Sequence, residues 1–346
     1  MSETRFITTQ ALAELTAELL AAGTRVVAPA EAADGAVDYQ VISNAKDVVL
    51  DERMPRRSLR GFFQPPTEQV FTWNRTDSGF SLKPVDLSTE PWVVLGARPC
   101  DAAGAAAIDA VMNGEPKDDL WMRRRETVTV IGLACAAMGP GCFCELVGKG
   151  PANTTGSDIL LRPAQGGSIV EIVTPRGQAF VEAHSAKFTS TDAEVQAPPK
   201  RYDPAPMDRI EAWLEANFND EFWQELSLRC LGCGTCTSIC PTCYCFDIVD
   251  EPVGTSAGAR RRNWDTCQVG LFTLHASGHN PRPEQTNRCR QRIMHKFYIY
   301  PHRHDILLCT GCGRCVVACP TGVNLPEILT GIAGRAGEDT TMGGPA

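Results

Sequence analysis

Leu12, Leu15, Leu19 and Leu20 recur three and four positions apart within Thr9–Ala22, the spacing of an amphipathic helix that Gly23 then stops. Short β-like runs lie at Arg25–Ala28 and Tyr39–Ile42. Trp92–Leu95 and Val128–Leu133 are stronger strands, each apolar enough to be buried on both faces. Between them, Asp101–Met112 is Ala-rich and helical. A strand–helix–strand unit of this kind predicts a parallel sheet in an α/β domain. Ile159–Leu161 and Ser168–Val173 read as a further antiparallel pair.

Ala197-Pro-Pro-Lys-Arg-Tyr-Asp-Pro-Ala-Pro206 breaks the periodic pattern and marks a domain boundary, dividing the chain into 1–205 and 206–346. Beyond it, Ile210–Leu228 reads as one helix. The Gly-rich tail after Thr330 reads as frayed. The fold expected is an α/β (α+β) N-terminal domain followed by a mainly α-helical C-terminal domain.

The second half of that expectation rests on a repeat. Cys230-Leu-Gly-Cys233-Gly-Thr-Cys236-Thr-Ser-Ile-Cys240-Pro recurs as Cys309-Thr-Gly-Cys312-Gly-Arg-Cys315-Val-Val-Ala-Cys319-Pro. A C-x2-C-x2-C-x3-C-P run is a [4Fe–4S] ligand set, and two of them make a two-cluster module, so the C-terminal domain is expected to be ferredoxin-like and dicluster. Three evenly spaced thiolates wrap one face of a cubane, while the fourth leaves on the following turn. In the usual crossed arrangement Cys230, Cys233, Cys236 and Cys319 hold one cluster, and Cys309, Cys312, Cys315 and Cys240 the other. The 68 residues between the motifs also leave a local arrangement open. Zinc, which prefers two separated pairs, is the rival metal.

Sixteen cysteines in 346 residues then need a compartment. The N-terminus shows no basic and apolar leader, and no apolar run approaches the ~18–20 residues of a membrane span. Reduced thiols holding metal in the cytoplasm is the reading that follows. The net charge of −8 and pI near 5.4 weigh against nucleic-acid binding. From Cys230 onward, however, 11 Lys+Arg face 9 Asp+Glu. Arg260–Arg262, Arg282, Arg288, Arg290, Arg292, His295 and Lys296 make up this basic region. It reads as charge compensation near the clusters, partner docking, or a solvated face.

A second cysteine set, Cys100, Cys135, Cys142 and Cys144, lies in the N-terminal part. Cys100 and Cys135 follow the two buried strands, at the carboxyl ends where open α/β sheets bind ligands. The Gly139-Pro-Gly141 turn brings Cys142 and Cys144 back toward them, which suits a third [4Fe–4S] cluster; buried structural thiols are the alternative. Cys243, Cys245 and Cys267 are uncertain iron ligands or neighbouring thiols, and Cys289 is a fourth unassigned cysteine. His275 and His279 are weaker ligand candidates. No phosphate-cradling or dinucleotide fingerprint is present, so no NAD or FAD site is expected in this chain.

Several segments together resemble the iron–sulfur β subunit of cytosolic [NiFe] hydrogenases of the sulfhydrogenase type, related to the corresponding iron–sulfur subunit of anaerobic sulfite reductase. They are Gly-Phe-Phe-Gln-Pro-Pro66, Gly96-Ala-Arg-Pro-Cys-Asp101, Ile131-Gly-Leu-Ala-Cys135 with Cys142-Phe-Cys144, and Cys240-Pro-Thr-Cys-Tyr-Cys-Phe246. Arg261-Arg-Asn-Trp-Asp-Thr-Cys-Gln268, Gly278-His-Asn-Pro-Arg-Pro283, Arg290-Gln-Arg-Ile-Met-His-Lys296 and the second cluster motif continue the series. Cys289 departs from the pattern. The resemblance implies an electron-transfer subunit with no catalytic residue of its own. It would connect a flavin/NAD(P)-binding subunit with [NiFe] catalytic and small iron–sulfur subunits. A sulfite-reductase or heterodisulfide-reductase-like complex is the alternative setting. A zinc-stabilised binding module without redox work is the alternative of another class.

Overall fold

In the computed structural model, residues 5–191 and 198–339 are described. Their strands are β1 (Arg5–Thr8), β2 (Arg25–Glu31), β3 (Val37–Val41), β4 (Thr67–Thr76), β5 (Gly79–Pro84) and β6 (Trp92–Ala97). They continue with β7 (Val128–Leu133), β8 (Ile159–Ala164), β9 (Gly167–Ile172), β10 (Thr189–Ser190), β11 (Phe246–Val253) and β12 (Ala257–Trp264). The larger sheet runs β10-β1-β9-β8-β7-β6-β2-β3. Its centre, β2-β6-β7-β8, is parallel, and antiparallel strands close both edges. The helix Pro99–Met112 crosses from β6 to parallel β7, as the strand–helix–strand pattern predicts.

Both faces of this sheet are covered, which is why its central strands carry continuous apolar runs. On one face Leu12, Leu15 and Leu19 of helix Thr9–Ala21 pack on Val26, Val93, Leu95 and Ile131. On the other, Ala102, Ala105 and Ile108 pack on Val27, Val94 and Val130 with Phe63 and Trp121.

The smaller sheet, β11-β12-β4-β5, takes a hairpin from each side of the 205/206 division. Neither hairpin was expected from the sequence, so the region after 206, expected as mainly α-helical, holds two strands beside its helices. Its polar strands are held by a buried ion network. Glu68 of β4 accepts from Arg262 Nε of β12 at 2.8 Å and from Arg124 Nη2 at 2.8 Å, and Arg262 also pairs with Asp118. The strands alternate without a dry face, because what they bury is charge rather than an apolar stripe.

Of the expected boundary, Ala197 lies outside the described residues, and 198–206 carry no helix or strand. The single helix expected over Ile210–Leu228 is two helices, Met207–Ala216 and Phe222–Ser227. Asn217 ends the first, its side-chain amide donating to Trp213 O at 3.0 Å, and Asp220 accepts from Phe222 N to start the second. Of the tail read as frayed, 331–339 are instead helical: Leu325–Asp339 forms a helix whose Leu329 and Ile332 are fully buried. Its glycines misled the reading; the apolar face decides the outcome. Residues 340–346 lie outside the described residues. That helix packs with Ile210, Trp213, Ile293 and Phe297, and also with Phe143, Leu146 and Val147 from the loop after β7. The loop carrying Cys142 and Cys144 is therefore part of the C-terminal core. Among the described residues, no helix is long and apolar enough to cross a membrane.

Candidate metal centres

The two cysteine motifs fold alike. Gly232 and Gly234 have φ of +67° and +74°, and Gly311 and Gly313 +65° and +74°. A one-turn helix follows each, Thr235–Ser238 and Arg314–Val317. Positive φ at both glycines curls the loop so that the three leading thiols face one side.

Three cavities receive the cysteines. An outer cavity is lined by Cys230, Cys233, Cys236 and Cys319, together with Cys289 and Cys315. A middle cavity is lined by Cys240, Cys309, Cys312 and Cys315. The fourth cysteine of each motif thus shares a cavity with the leading three of the other. A third cavity is lined by Cys100, Cys135, Cys142 and Cys144, with Cys312 from the second motif. The strand ends place Cys100 and Cys135; a tight turn, Cys142 N donating to Gly139 O at 3.2 Å, brings in the other two.

These cavities form a row. Cys315 lines the outer and middle ones, and Cys312 the middle and N-terminal ones. The N-terminal loop and the second motif touch backbone to backbone: Phe143 N donates to Gly311 O at 2.8 Å. A Cβ on Gly311 would lie 2.5 Å from Cys144 Cα, and one on Gly313 would collide with the Gly141 carbonyl. Only glycine admits this approach. Arg314, between Cys312 and Cys315, adds a bidentate ion pair to Asp101, the residue after Cys100, at 2.8 and 2.6 Å. Both side chains are buried (3% and 0% exposed), and Tyr39 donates its hydroxyl hydrogen to Asp101 at 2.9 Å. The sequence marks Arg314 only as the one non-cysteine difference inside Cys-Gly-x-Cys, and Asp101 only as the last residue of the Gly96–Asp101 segment.

The chemistry of the three linings is uniform. No Asp or Glu lines them. Burial pushes the Cys144 and Cys309 thiols up to about 12 and Cys236 up to about 11. Cys100, Cys135, Cys142 and Cys312 also rise through burial. Thiols packed this way are stabilised when metal replaces their protons. Cys230 moves the other way, down to about 6, because the Cys289 thiol hydrogen-bonds to it. Among the described residues no three Cys, His, Asp or Glu side chains converge closely enough for a single metal ion. At least four thiols line each cavity, the number that one [4Fe–4S] cubane takes.

Buried cations stand beside them. Lys296 Nζ donates to Cys240 Sγ at 3.4 Å, and Arg292 lines both the outer and middle cavities. The rest of the basic stretch has other duties: Arg260 and Arg261 pair with Asp250 and Glu251 at the surface, and Arg262 is locked to Glu68. Cys243, Cys245 and Cys267 line none of the three cavities. Cys243 hydrogen-bonds to Cys240, and Cys245 to Cys267, which holds Cys267 down to about 6. His275 and His279 are exposed, with ring centroids 5.4 Å apart, and line no cavity either.

Residues 229–323 match the 4Fe-4S dicluster domain family. Sulfhydrogenase 2 subunit beta of Pyrococcus furiosus is 28% identical over 303 residues, covering 84% of this chain and 87% of that protein. The chain is a homologue of hydrogenase β-type iron–sulfur subunits. Its similarity to that subunit extends well beyond the dicluster segment and so includes most of the α/β region. No solved structure matches it significantly. An iron–sulfur electron-transfer role follows for the chain from the dicluster match and the β-subunit homology together.

Proposed function

We propose that the chain is the connecting electron-transfer subunit of an NAD(P)-linked [NiFe] hydrogenase, relaying single electrons through three [4Fe–4S] clusters. The observation that carries this is the row of three cysteine-lined cavities sharing Cys315 and Cys312. In this reading residues 1–205 supply the four thiols of one centre and residues 206–346 the eight of the other two. The clusters would supply one-electron chemistry at potentials set by their surroundings. The chain's own part is to hold the thiols, fix their spacing and exclude water. Gly311, Gly313 and the Arg314–Asp101 pair keep the N-terminal and middle sites in register. One-electron steps of this kind connect a two-electron nicotinamide or flavin couple to hydrogen chemistry elsewhere in an assembly.

Anaerobic isolation of the chain with iron, sulfide and zinc counting tests the reading. About twelve irons with matching sulfide support it; zinc with no broad visible absorption rejects it. A pull-down from the native source tests the partners. Co-purification of nickel and flavin subunits is expected, and a sirohaem subunit without nickel would move the chain to a sulfite-reductase setting.

A further inference from the structure

Lys296 is only 3% exposed, yet among the described residues it has no carboxylate partner. Its three donors go to Cys240 Sγ at 3.4 Å, Thr242 Oγ1 at 2.9 Å and Leu308 O at 2.9 Å. Arg292, 7% exposed, makes no ion pair among the described residues, and its Nε has no hydrogen-bond partner. Arg314, by contrast, is neutralised by Asp101. A buried cation without a counter-anion costs several kcal/mol, so two at one cavity wall point to negative charge inside it.

We propose that Lys296 and Arg292 are the charge-compensating residues of the relay, raising the potential of a cluster held in the middle cavity. This rests on the three-centre reading above. When one electron enters that site no bond is made or broken; the site gains one unit of negative charge beside two buried cations. Fixed cations offset that charge. Lys296 is well fixed, because Thr242, fully buried, bridges Cys240 Sγ at 3.2 Å and Leu308 O at 2.7 Å while accepting from Nζ. The two cations also differ in reach: Lys296 lines the middle cavity alone, whereas Arg292 lines the middle and the outer one. A merely structural lysine, tying residue 242 to residue 308, would leave cluster potentials where they are.

The test is an anaerobic redox titration of the full chain, followed cluster by cluster by electron paramagnetic resonance. In Lys296→Met one transition is expected to move down. Its reduced-to-oxidised ratio at fixed potential falls at least tenfold, about 59 mV for a one-electron couple. Lys296→Arg is expected to restore it. Arg292→Met is expected to move that same transition and one other. Unmoved transitions in variants that keep their iron overturn this proposal alone, as does a Lys296→Met effect spread over all three. If Lys296→Met sheds iron, Arg292→Met decides by the same two-transition signature. A wild-type chain without clusters overturns the three-centre reading itself.

Discussion

Replacing Asp101 by asparagine strands Arg314, which is 3% exposed and lies between two candidate ligands of the middle cavity. The wild-type pair is bidentate, at 2.8 and 2.6 Å, and the guanidinium's remaining Nε donates to Pro55 O at 2.8 Å. At an effective dielectric near 20 the attraction is about 4–6 kcal/mol, most of it offset by desolvating two charges. Losing one partner leaves that desolvation uncompensated, so Asp101→Asn should cost about 3–5 kcal/mol. With an m value of about 3 kcal/mol/M, the urea midpoint falls by about 1–2 M. Removing both partners, as Asp101→Asn with Arg314→Met, should recover most of that, giving a coupling of about 2–3 kcal/mol in the double-mutant cycle. Because the pair ties the Cys100 segment to the second motif, the single variant should also lose iron from the N-terminal and middle sites. Anaerobic urea unfolding followed by tryptophan fluorescence, with iron counted alongside, measures both. A single variant within about 1 kcal/mol of wild type, or a double variant no better than the single, would refute this reasoning.

Gly311→Ala should release about eight of about twelve irons, since its Cβ meets Cys144 backbone at 2.5 Å; Gly254→Ala, at the same φ of +65° with open space around it, should keep them all. Cys142→Ser should remove about four irons while the two other clusters stay, as counted by iron and spectroscopy; no loss would make the N-terminal set structural. Cys289→Ala should retain every iron, because Cys289 serves Cys230 as a hydrogen-bond partner and is not needed as a ligand. Burial, with the Lys296 charge beside it, holds His295 down to about 4. On acidification the unfolded chain takes that proton first, near 6.5, so His295 contributes stability above about pH 6.5 that is lost toward pH 4. His295→Gln should flatten the fall of the unfolding midpoint over that window, and an unchanged slope would count against it.

Much of this architecture was readable along the chain. Val128–Leu133 and Ile159–Leu161 declare themselves by continuous apolar residues, and the doubled cysteine spacing declares its chemistry, because both signals are local. The smaller sheet was not readable. Glu68, Arg262 and Asp118 satisfy one another across gaps of 194 and 144 residues, and no window on the sequence contains such a pairing. The terminal helix was missed for the opposite reason: its glycines spoke louder than the leucine and isoleucine that bury it.

By itself, the sequence named the cysteines proposed to hold metal: cysteine spacing is a property of a few adjacent dihedrals, and so is the loop that aims the thiols. Tertiary structure alone decided that the fourth cysteine of each motif lies with the other motif's three, and that the N-terminal set stands next in line. It also separated the basic residues into surface pairs, a buried network and the two cations, Lys296 and Arg292, left facing the thiols. A charge on the chain carries no mark of its partner; only burial, and the distance to the nearest carboxylate, says which anion it is waiting for.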